Sequence, residues 1–302
     1  MFLKCDKKHA TFAKFFLHPS SRMREKFSFS SVQNPLGQMA QFILCRLLKY
    51  LRGWCNGNTG DFGSPIHGSN PCPRAIRFNL KTDFSVLILA AGKGTRMKST
   101  LPKVLHRVSG TPLLVKVLHT VAKLSPTSVG VVVGSGATQV REVIGNPPGL
   151  LWIFQKEMKG SGHAVRQASS WIRKNLKTSP HLMVLCGDTP LLKVETLKML
   201  HQAHVSAGNS VTVLSAKVEN PFGYGRIIKD SFGRVTKIIE EKDASPDERQ
   251  VREINSGVYC FKSEELLQAL PQIGNHNAKK EFYLTDTVEI GTRGSAFLSW
   301  RE

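Results

Sequence analysis

From Phe84 onward the chain alternates short, continuous apolar runs with helix-like stretches, and this alternation is the strongest constraint on how it can fold. The first run, Ser85-Val86-Leu87-Ile88-Leu89-Ala90-Ala91, ends in Gly92 and is apolar at nearly every position, as a strand buried on both faces of a parallel sheet must be. Further runs at 129–133, 151–154, 182–186, 210–216 and 256–261 predict strands of the same kind, while 234–240 alternates like a more exposed strand. Between them, 113–123, 137–143, 163–174, 194–207, 263–270 and 282–290 carry helical patterns. Strands alternating with helices predict an α/β fold with an open, mostly parallel (mixed) Rossmann-like sheet covered by helices on both faces. Ligands of such sheets sit beyond the carboxyl ends of the strands, so the chemistry is sought in the loops there.

The first 80 residues read differently. Apart from a short amphipathic stretch near 39–51 they sustain neither a helical nor a strand period, and they do not read as a domain. They hold 12 basic and 3 acidic residues, whereas 81–302 hold 30 and 19, so a quarter of the chain carries nearly half of the formal net charge of +20. A transit peptide, a nucleic-acid-binding arm or a solvated tail would each suit that composition. A further reading is preferred: the stretch from Trp54 to Pro71 reads like an in-frame translation of a transfer-RNA gene, Gly68-Ser69-Asn70-Pro71 being what a T-arm GGTTCGAATCC would encode. On that reading 1–80 is an over-extended gene model and the protein proper starts near Leu80.

The cysteines (Cys5, Cys45, Cys55, Cys72, Cys186, Cys260) form no CxxC, so neither a structural zinc nor a disulfide framework is expected, and a reducing cytoplasm is the default. The apolar stretch at 42–48 is broken by Arg46 and is far shorter than the roughly 20 residues that span a bilayer, so no membrane span is expected.

After the first predicted strand comes Leu89-Ala90-Ala91-Gly92-Lys93-Gly94-Thr95-Arg96-Met97, with Pro102-Lys103 downstream. Two glycines let the backbone N–H groups approach an anion, and Lys93, Arg96 and Lys103 add positive charge. The stretch has neither the GxxxxGK[ST] order nor the GxGxxG spacing. Its place after a buried strand, with three cations, favours phosphate binding over a glycine turn among solvated charges.

This run resembles that of the sugar-phosphate nucleotidyltransferases, and more closely that of the uridyltransferase domain of the bacterial bifunctional N-acetylglucosamine-1-phosphate uridyltransferases. Four further stretches follow in the family's order: 155–164 (QKEMKGSGHA), 187–191 (GDTPL), 223–227 (GYGRI), and 240–244 (EEKDA) with 253–257 (EINSG); 283–286 (YLTD) closes the series. The resemblance covers about 84–290. It implies a nucleotide-diphospho-sugar transferase fold and transfer of UMP from UTP to N-acetylglucosamine 1-phosphate with Mg²⁺, for cell-envelope polysaccharide; another sugar-phosphate nucleotidyltransferase, or an inactive truncated remnant, is the alternative. It also implies that Leu89, Ala90, Ala91 and Gly92 lie along the nucleotide. Arg96 and Lys103 would neutralise triphosphate and transition-state charge. Gln155, Gly160 and Ser161 would meet the base and its sugar, and Gly187 and Asp188 would follow the strand that brings a carboxylate to Mg²⁺. Cys186 would contribute packing or a backbone contact there and not act as a nucleophile. Gly225, Glu240 and Asn255 would recognise the acceptor sugar; the family's register alone selects Glu240 over Glu241. The positive charge of 81–302 then faces small anions, and no nucleic acid partner is expected.

Two departures from the family pattern stand out. Relatives commonly carry Gln-Gly-Glu where this chain has Lys279-Lys280-Glu281. The sequence also stops at Glu302, before the later asparagine that completes the family's Mg²⁺ site and before the acetyltransferase domain, so 81–302 is expected to be a nucleotidyltransferase domain truncated at its C-terminal end, without acetyl transfer.

Overall fold

In a computed structural model of the chain, Val86, Leu87 and Ile88 are wholly withdrawn from solvent in the central strand β1 (Phe84–Ala90), as a strand covered on both faces requires. The structure describes residues 76, 78, 82–92, 94, 97–291 and the backbone of 292 and 298–301. The chain divides into Met1–Pro65 and Ile66–Glu302, and only the second unit contains described residues; the transfer-RNA-like stretch and Cys5, Cys45, Cys55 and Cys72 lie outside them.

The remaining strands are β2 (Arg107–Val108), β3 (Thr111–Pro112), β4 (Val129–Val133), β5 (Leu150–Phe154), β6 (His181–Cys186), β7 (Val211–Lys217), β8 (Arg226–Lys229), β9 (Val235–Ile239), β10 (Glu253–Lys262) and β11 (Leu298–Arg301). The helices are α1 (Leu113–Leu124), α2 (Ala137–Ile144), α3 (Ser161–Gln167), α4 (Ser169–Asn175), α5 (Val194–Ala207), α6 (Pro246–Arg249), α7 (Ser263–Ala269) and α8 (Asp286–Thr292). The main sheet runs β11-β7-β10-β6-β1-β4-β5, with β8 joining β10 to β9. β5, β4, β1 and β6 are parallel, while β10 runs antiparallel between β6 and β7. The sheet is therefore mixed and open, as expected.

Odd and even positions of β1 feed different cores. Val86 and Ile88 pack with Leu114, Leu118 and Val121 of α1 and Leu197 and Leu200 of α5. Leu87 packs with Val165 of α3, Ile172 of α4 and Leu266 of α7 on the opposite face. The spacing of Leu114, Leu118 and Val121 is the apolar stripe of an amphipathic helix, and α1 stops at Ser125, whose left-handed backbone (φ 54°) ends the helical turn.

Several boundaries differ from the sequence reading. The helix expected over 163–174 is two helices meeting at Ala168, and the one expected over 282–290 starts only at Asp286 because the backbone of Phe282 and Leu284 bonds to the 159–162 segment. The short strands β2, β3 and β8 and the single-turn α6 carry too few apolar positions to show a period.

At the amino ends of β1 and β6, three imidazoles gather. His181 lies edge-on to His201 and His204 with ring centroids 5.5 and 5.1 Å apart, His201 packs on Phe84, and Asp83 Oδ1 is 3.6 Å from His201 Nε2. His204 is fully buried, with Nδ1 2.9 Å from the Thr212 hydroxyl, which also accepts from Asn209. Burial first, then the neighbouring His181, His201 and Lys262, push His204 down to about 3; burial is also the main cause lowering His181 and His201, which Asp83 opposes. The unfolded chain takes up a proton at His204 as pH falls below about 6.5 and the folded chain does not, so stability drops from there down towards pH 3. Urea unfolding at about pH 7 and about pH 5.5 is expected to show a loss of about 1 kcal/mol from His204 alone. His204→Gln should lose about that much less between the two conditions; equal losses in both proteins would contradict the assignment.

Candidate functional site

β1 connects towards β4 and β6 connects towards β7 on the other side, so a crevice opens between the carboxyl ends of β1 and β6, the switch point at which open α/β sheets bind ligands. Gly187 N donates to Leu89 O at 2.9 Å, carrying the β6–β1 ladder one step past Cys186 and holding the two ends level. Asp188 then projects into the crevice. Opposite, Pro102 opens a single 3₁₀ turn, Lys103–Leu105, whose Val104 and Leu105 are buried while Lys103 reaches across to form an ion pair with Asp188. Gly94 makes that approach possible. Its φ is +60°, and a Cβ there would stand 2.7 Å from Lys103 Cβ.

Leu89, Ala90, Ala91, Gly92, Lys103, Gln155, Gly160, Ser161, Cys186 and Asp188 all line one cleft of about 760 Å³, and Gly187 is buried between the last two. Arg96 and Lys93 lie outside the described residues. Gln155 extends the edge of the sheet, its N bonded to Val133 O, and its buried amide Nε2 lies 3.3 Å from Gly160 O and 2.9 Å from His163 Nδ1. Burial, Lys159 and Arg166 lower the His163 pKa, which favours the neutral ring whose Nδ1 accepts the bond from Gln155.

Gly160 has φ +107°, and a Cβ on it would lie 2.4 Å from Phe282 O. Gly162 N donates to that carbonyl, Phe282 N donates to Lys159 O, and the Ser161 hydroxyl accepts from Leu284 N at 3.0 Å. These bonds stitch 159–162 to 282–284 and bring Glu281 into the cleft, a wall residue that the sequence reading had not placed there. Phe282 and Tyr283 resembled the start of a helix, and nothing in their period signals that the backbone is committed elsewhere.

The remaining three predicted residues meet on the far side of Cys186. Asn255 N donates to Gly225 O at 2.9 Å, and Glu240 Oε1 would lie 3.4 Å from a Cβ on Gly225. The β10–β7 register shifts between Asn255 and Val258, and in this bulge Asn255 bonds to Tyr259 OH through Nδ2 and to Gly257 N through Oδ1. Cys186 Sγ donates to Gly257 O at 3.5 Å and joins the two groups; burial pushes its thiol up to about 12, which fits a packing role rather than a nucleophile's. The structure separates Glu240 from Glu241. Glu241 accepts from buried Arg226 at 2.6 Å and from Gly223 N, whereas Glu240 sits beside Gly225 with its pKa raised, by burial first and by Asp243 and Glu281 next.

The Asp188 carboxylate at the end of β6 in this cleft suits an ion such as Mg²⁺, which is held by one or two carboxylates together with substrate phosphates. Among the described residues no group of three histidine, cysteine or acidic side chains is arranged to hold a metal by itself. The two edges of the cleft can be tested through their glycines. Gly160→Ala is expected to destabilise the fold by about 2 kcal/mol in urea unfolding, because it forces a strained φ and a backbone collision. Gly92→Ala, where a Cβ meets nothing within 4 Å, should change stability by less than about 0.5 kcal/mol. Equal effects would contradict the stitching described above.

Comparisons with known proteins agree with this geometry. The MobA-like NTP transferase domain matches residues 86–282. The bifunctional protein GlmU of Lactobacillus gasseri is 49% identical over 205 residues, covering 68% of this chain and 43% of that protein. GlmU of Pelotomaculum thermopropionicum is 49% identical over 212 residues, 70% of this chain and 45% of that protein. The chain thus spans less than half the length of these curated relatives. Among solved structures, a putative glucose-1-phosphate thymidylyltransferase from Bacillus anthracis superposes with a TM-score of 0.60 over 72% of this chain and 87% of its own, at 16% identity. A UDP-glucose pyrophosphorylase in complex with UDP-glucose gives 0.57 over 73% and 91%, at 17% identity; both likenesses are of fold. With the family match covering most of the described sheet, and the cleft where nucleotide-binding α/β sheets place theirs, the chain belongs to the MobA-like NTP transferase family of nucleotidyltransferases.

Proposed function

We propose that this chain transfers UMP from UTP to N-acetylglucosamine 1-phosphate, giving UDP-N-acetylglucosamine and pyrophosphate, in the cytoplasm. The observation that carries the reading is the Lys103–Asp188 pair at the switch point, with Gln155 and Gly160 on one side and Gly225, Glu240 and Asn255 on the other. A nucleotide and a sugar phosphate would thus approach one charged centre from opposite ends.

In the proposed reaction a phosphate oxygen of the sugar phosphate attacks the α-phosphorus of UTP. The bond from that phosphorus to the bridging oxygen breaks, and pyrophosphate leaves. Both reactants are anions, so neutralising their charge and aligning them in line account for most of the catalysis. Lys103 supplies one cation at the rim. The Asp188 carboxylate would hold Mg²⁺, which when bound neutralises phosphate charge. The backbone of Ala90–Gly92 has no bulk to keep phosphates away, and Gln155 offers an amide to the base edge. Glu240 and Asn255 present an acceptor and an amide to the sugar, where a substrate leaving them unpaired is discriminated against.

Turnover of the purified chain tests this reading. With UTP, N-acetylglucosamine 1-phosphate and Mg²⁺, pyrophosphate release is expected, and a chelator should abolish it. Lys103→Met and Asp188→Asn are each expected to lower kcat by about 10²-fold, with the melting temperature nearly unchanged. A preference for CTP, GTP or dTTP, or for another sugar phosphate, would replace this assignment with a different nucleotidyl transfer; no turnover with any pair would mark an inactive chain.

A further inference from the structure

Arg226 and Glu241, each one residue along the chain from a residue assigned to the acceptor sugar, form a largely buried ion pair. The Arg226 guanidinium donates through Nη2 to Glu241 Oε2 at 2.6 Å and to Arg249 O at 3.5 Å, and through Nη1 to Tyr224 O. Glu241 Oε2 also accepts from Gly223 N at 3.0 Å, and Arg249 of α6 donates through Nε to Glu241 O at 3.3 Å. One carboxylate thus ties the turn that enters β8 to the turn that leaves β9.

The strand register gives this tie a direction. Arg226 pairs with Ile239 across β8 and β9, so one step further Gly225 comes opposite Glu240, and two steps further Tyr224 comes opposite Glu241. Side chains alternate between the faces of a ladder, which puts Arg226 and Glu241 on one face and Gly225 and Glu240 on the other. On that second face a Cβ on Gly225 would lie 3.4 Å from Glu240 Oε1 and 3.6 Å from Asn255 Cβ, and Gly225 O accepts from Asn255 N. The three acceptor-side residues therefore meet on the face opposite the ion pair.

Packing does little to hold the turn before β8. Phe222 and Tyr224 are 76% and 50% exposed, Gly223 takes a left-handed φ of 84°, and the bonds from Tyr224 N to Pro221 O and from Phe222 N to Asn220 Oδ1 stay within the turn. Stability is also a poor account of the ion pair. Buried Arg226 Nε has no hydrogen-bond partner among the described residues, and apolar side chains of similar size often replace a buried ion pair without loss.

We propose that the Arg226–Glu241 pair is a positioning clamp for the acceptor sugar phosphate: it fixes the 221–225 turn against the 240–244 turn from the opposite face, and so holds the Gly225 backbone, Glu240 and Asn255 in one arrangement for the sugar. The sugar in this statement rests on the transfer reading above; the clamp itself consists of the hydrogen bonds just described. Arg226 and Glu241 act through their neighbours and are positioning residues.

Amide hydrogen exchange and steady-state kinetics test the clamp in Glu241→Ala, Glu241→Gln and the double variant Arg226→Met/Glu241→Ala. Glu241→Ala removes the shared acceptor. The amides of Gly223 and Asn255 should then exchange about tenfold faster relative to those of β1, and KM for N-acetylglucosamine 1-phosphate should rise about tenfold, with kcat and the KM for UTP unchanged. Glu241→Gln, whose amide oxygen still accepts, should recover most of that loss. The double variant leaves no unpaired charge buried, so it should regain the melting temperature that Glu241→Ala loses while keeping the raised sugar-phosphate KM. Recovery of that KM along with the melting temperature would leave the pair a purely structural role and overturn the proposal. An unchanged sugar-phosphate KM in Glu241→Ala, or an equal rise for UTP, would do the same. If the wild type turns over no nucleotide with any sugar phosphate, the transfer reading falls by itself, and the Asn255 amide still decides the clamp: unchanged exchange in Glu241→Ala overturns it.

Discussion

The hydrogen bond from Gly187 to the carbonyl of Leu89 is the constraint on which the cleft depends. Parallel pairing of β1 and β6 aligns the two strands but does not decide where each chain leaves the sheet. One further bond past Cys186 makes them leave at the same level, with Ala90 and Ala91 lining the cleft without long side chains. Asp188 and Lys103 can then face each other across a gap that peptide groups line. Both side chains are partly exposed, so the pair contributes little to stability and is better understood as charge held ready at the place where a ligand's charge would enter.

The far end of the cleft is built by different means. There the sheet turns antiparallel, and a shift of register in β10 just past Asn255, which still pairs with Ser215 of β7, leaves Ser256 and Gly257 out of the ladder, while the backbone of Asn255 also bonds to Gly225. Cys186 ties this bulge to the end of β6. A regular β10 would carry the β7 ladder straight through Ser256 and Gly257, so the irregularity is what lets the Gly257 N–H turn to the Asn255 carboxamide.

Much of this was legible in the sequence because it rests on local pattern. The apolar runs that became β1, β4, β6 and β7 are buried strands whose composition leaves little choice, and the glycine loop after β1 pointed to the strand end at which the cleft opens. Gly257, at the start of the run expected over 256–261, is the kind of residue that marks a bulge, but the sequence reading took the run as a plain strand and the structure shows the shift there. What stayed hidden was non-local. The start of α8 moved to Asp286 because Phe282 and Leu284 bond to residues about 120 positions earlier, and the same bonds placed Glu281 in the cleft. The choice between Glu240 and Glu241 rests on Arg226, whose buried guanidinium claims one of two adjacent carboxylates. Of the three histidines at the amino ends of β1 and β6, His201 and His204 stand three apart on α5 but His181 comes from β6, and no spacing in the chain connects all of them.

The stitching of 159–162 to 282–284 has a consequence for how such a chain can diversify. One side of the seam carries Gly160 and Ser161, at the end of the cleft that holds Gln155; the other leads through Glu281 and Tyr283 to the acidic group around Glu240. Because the seam is made of backbone hydrogen bonds and a glycine with no room for a Cβ, a substitution that shifts one side moves the other. Mutations that retune the two ends of the cleft are therefore epistatic, and a lineage exploring new ligands at one end carries the history of the other with it.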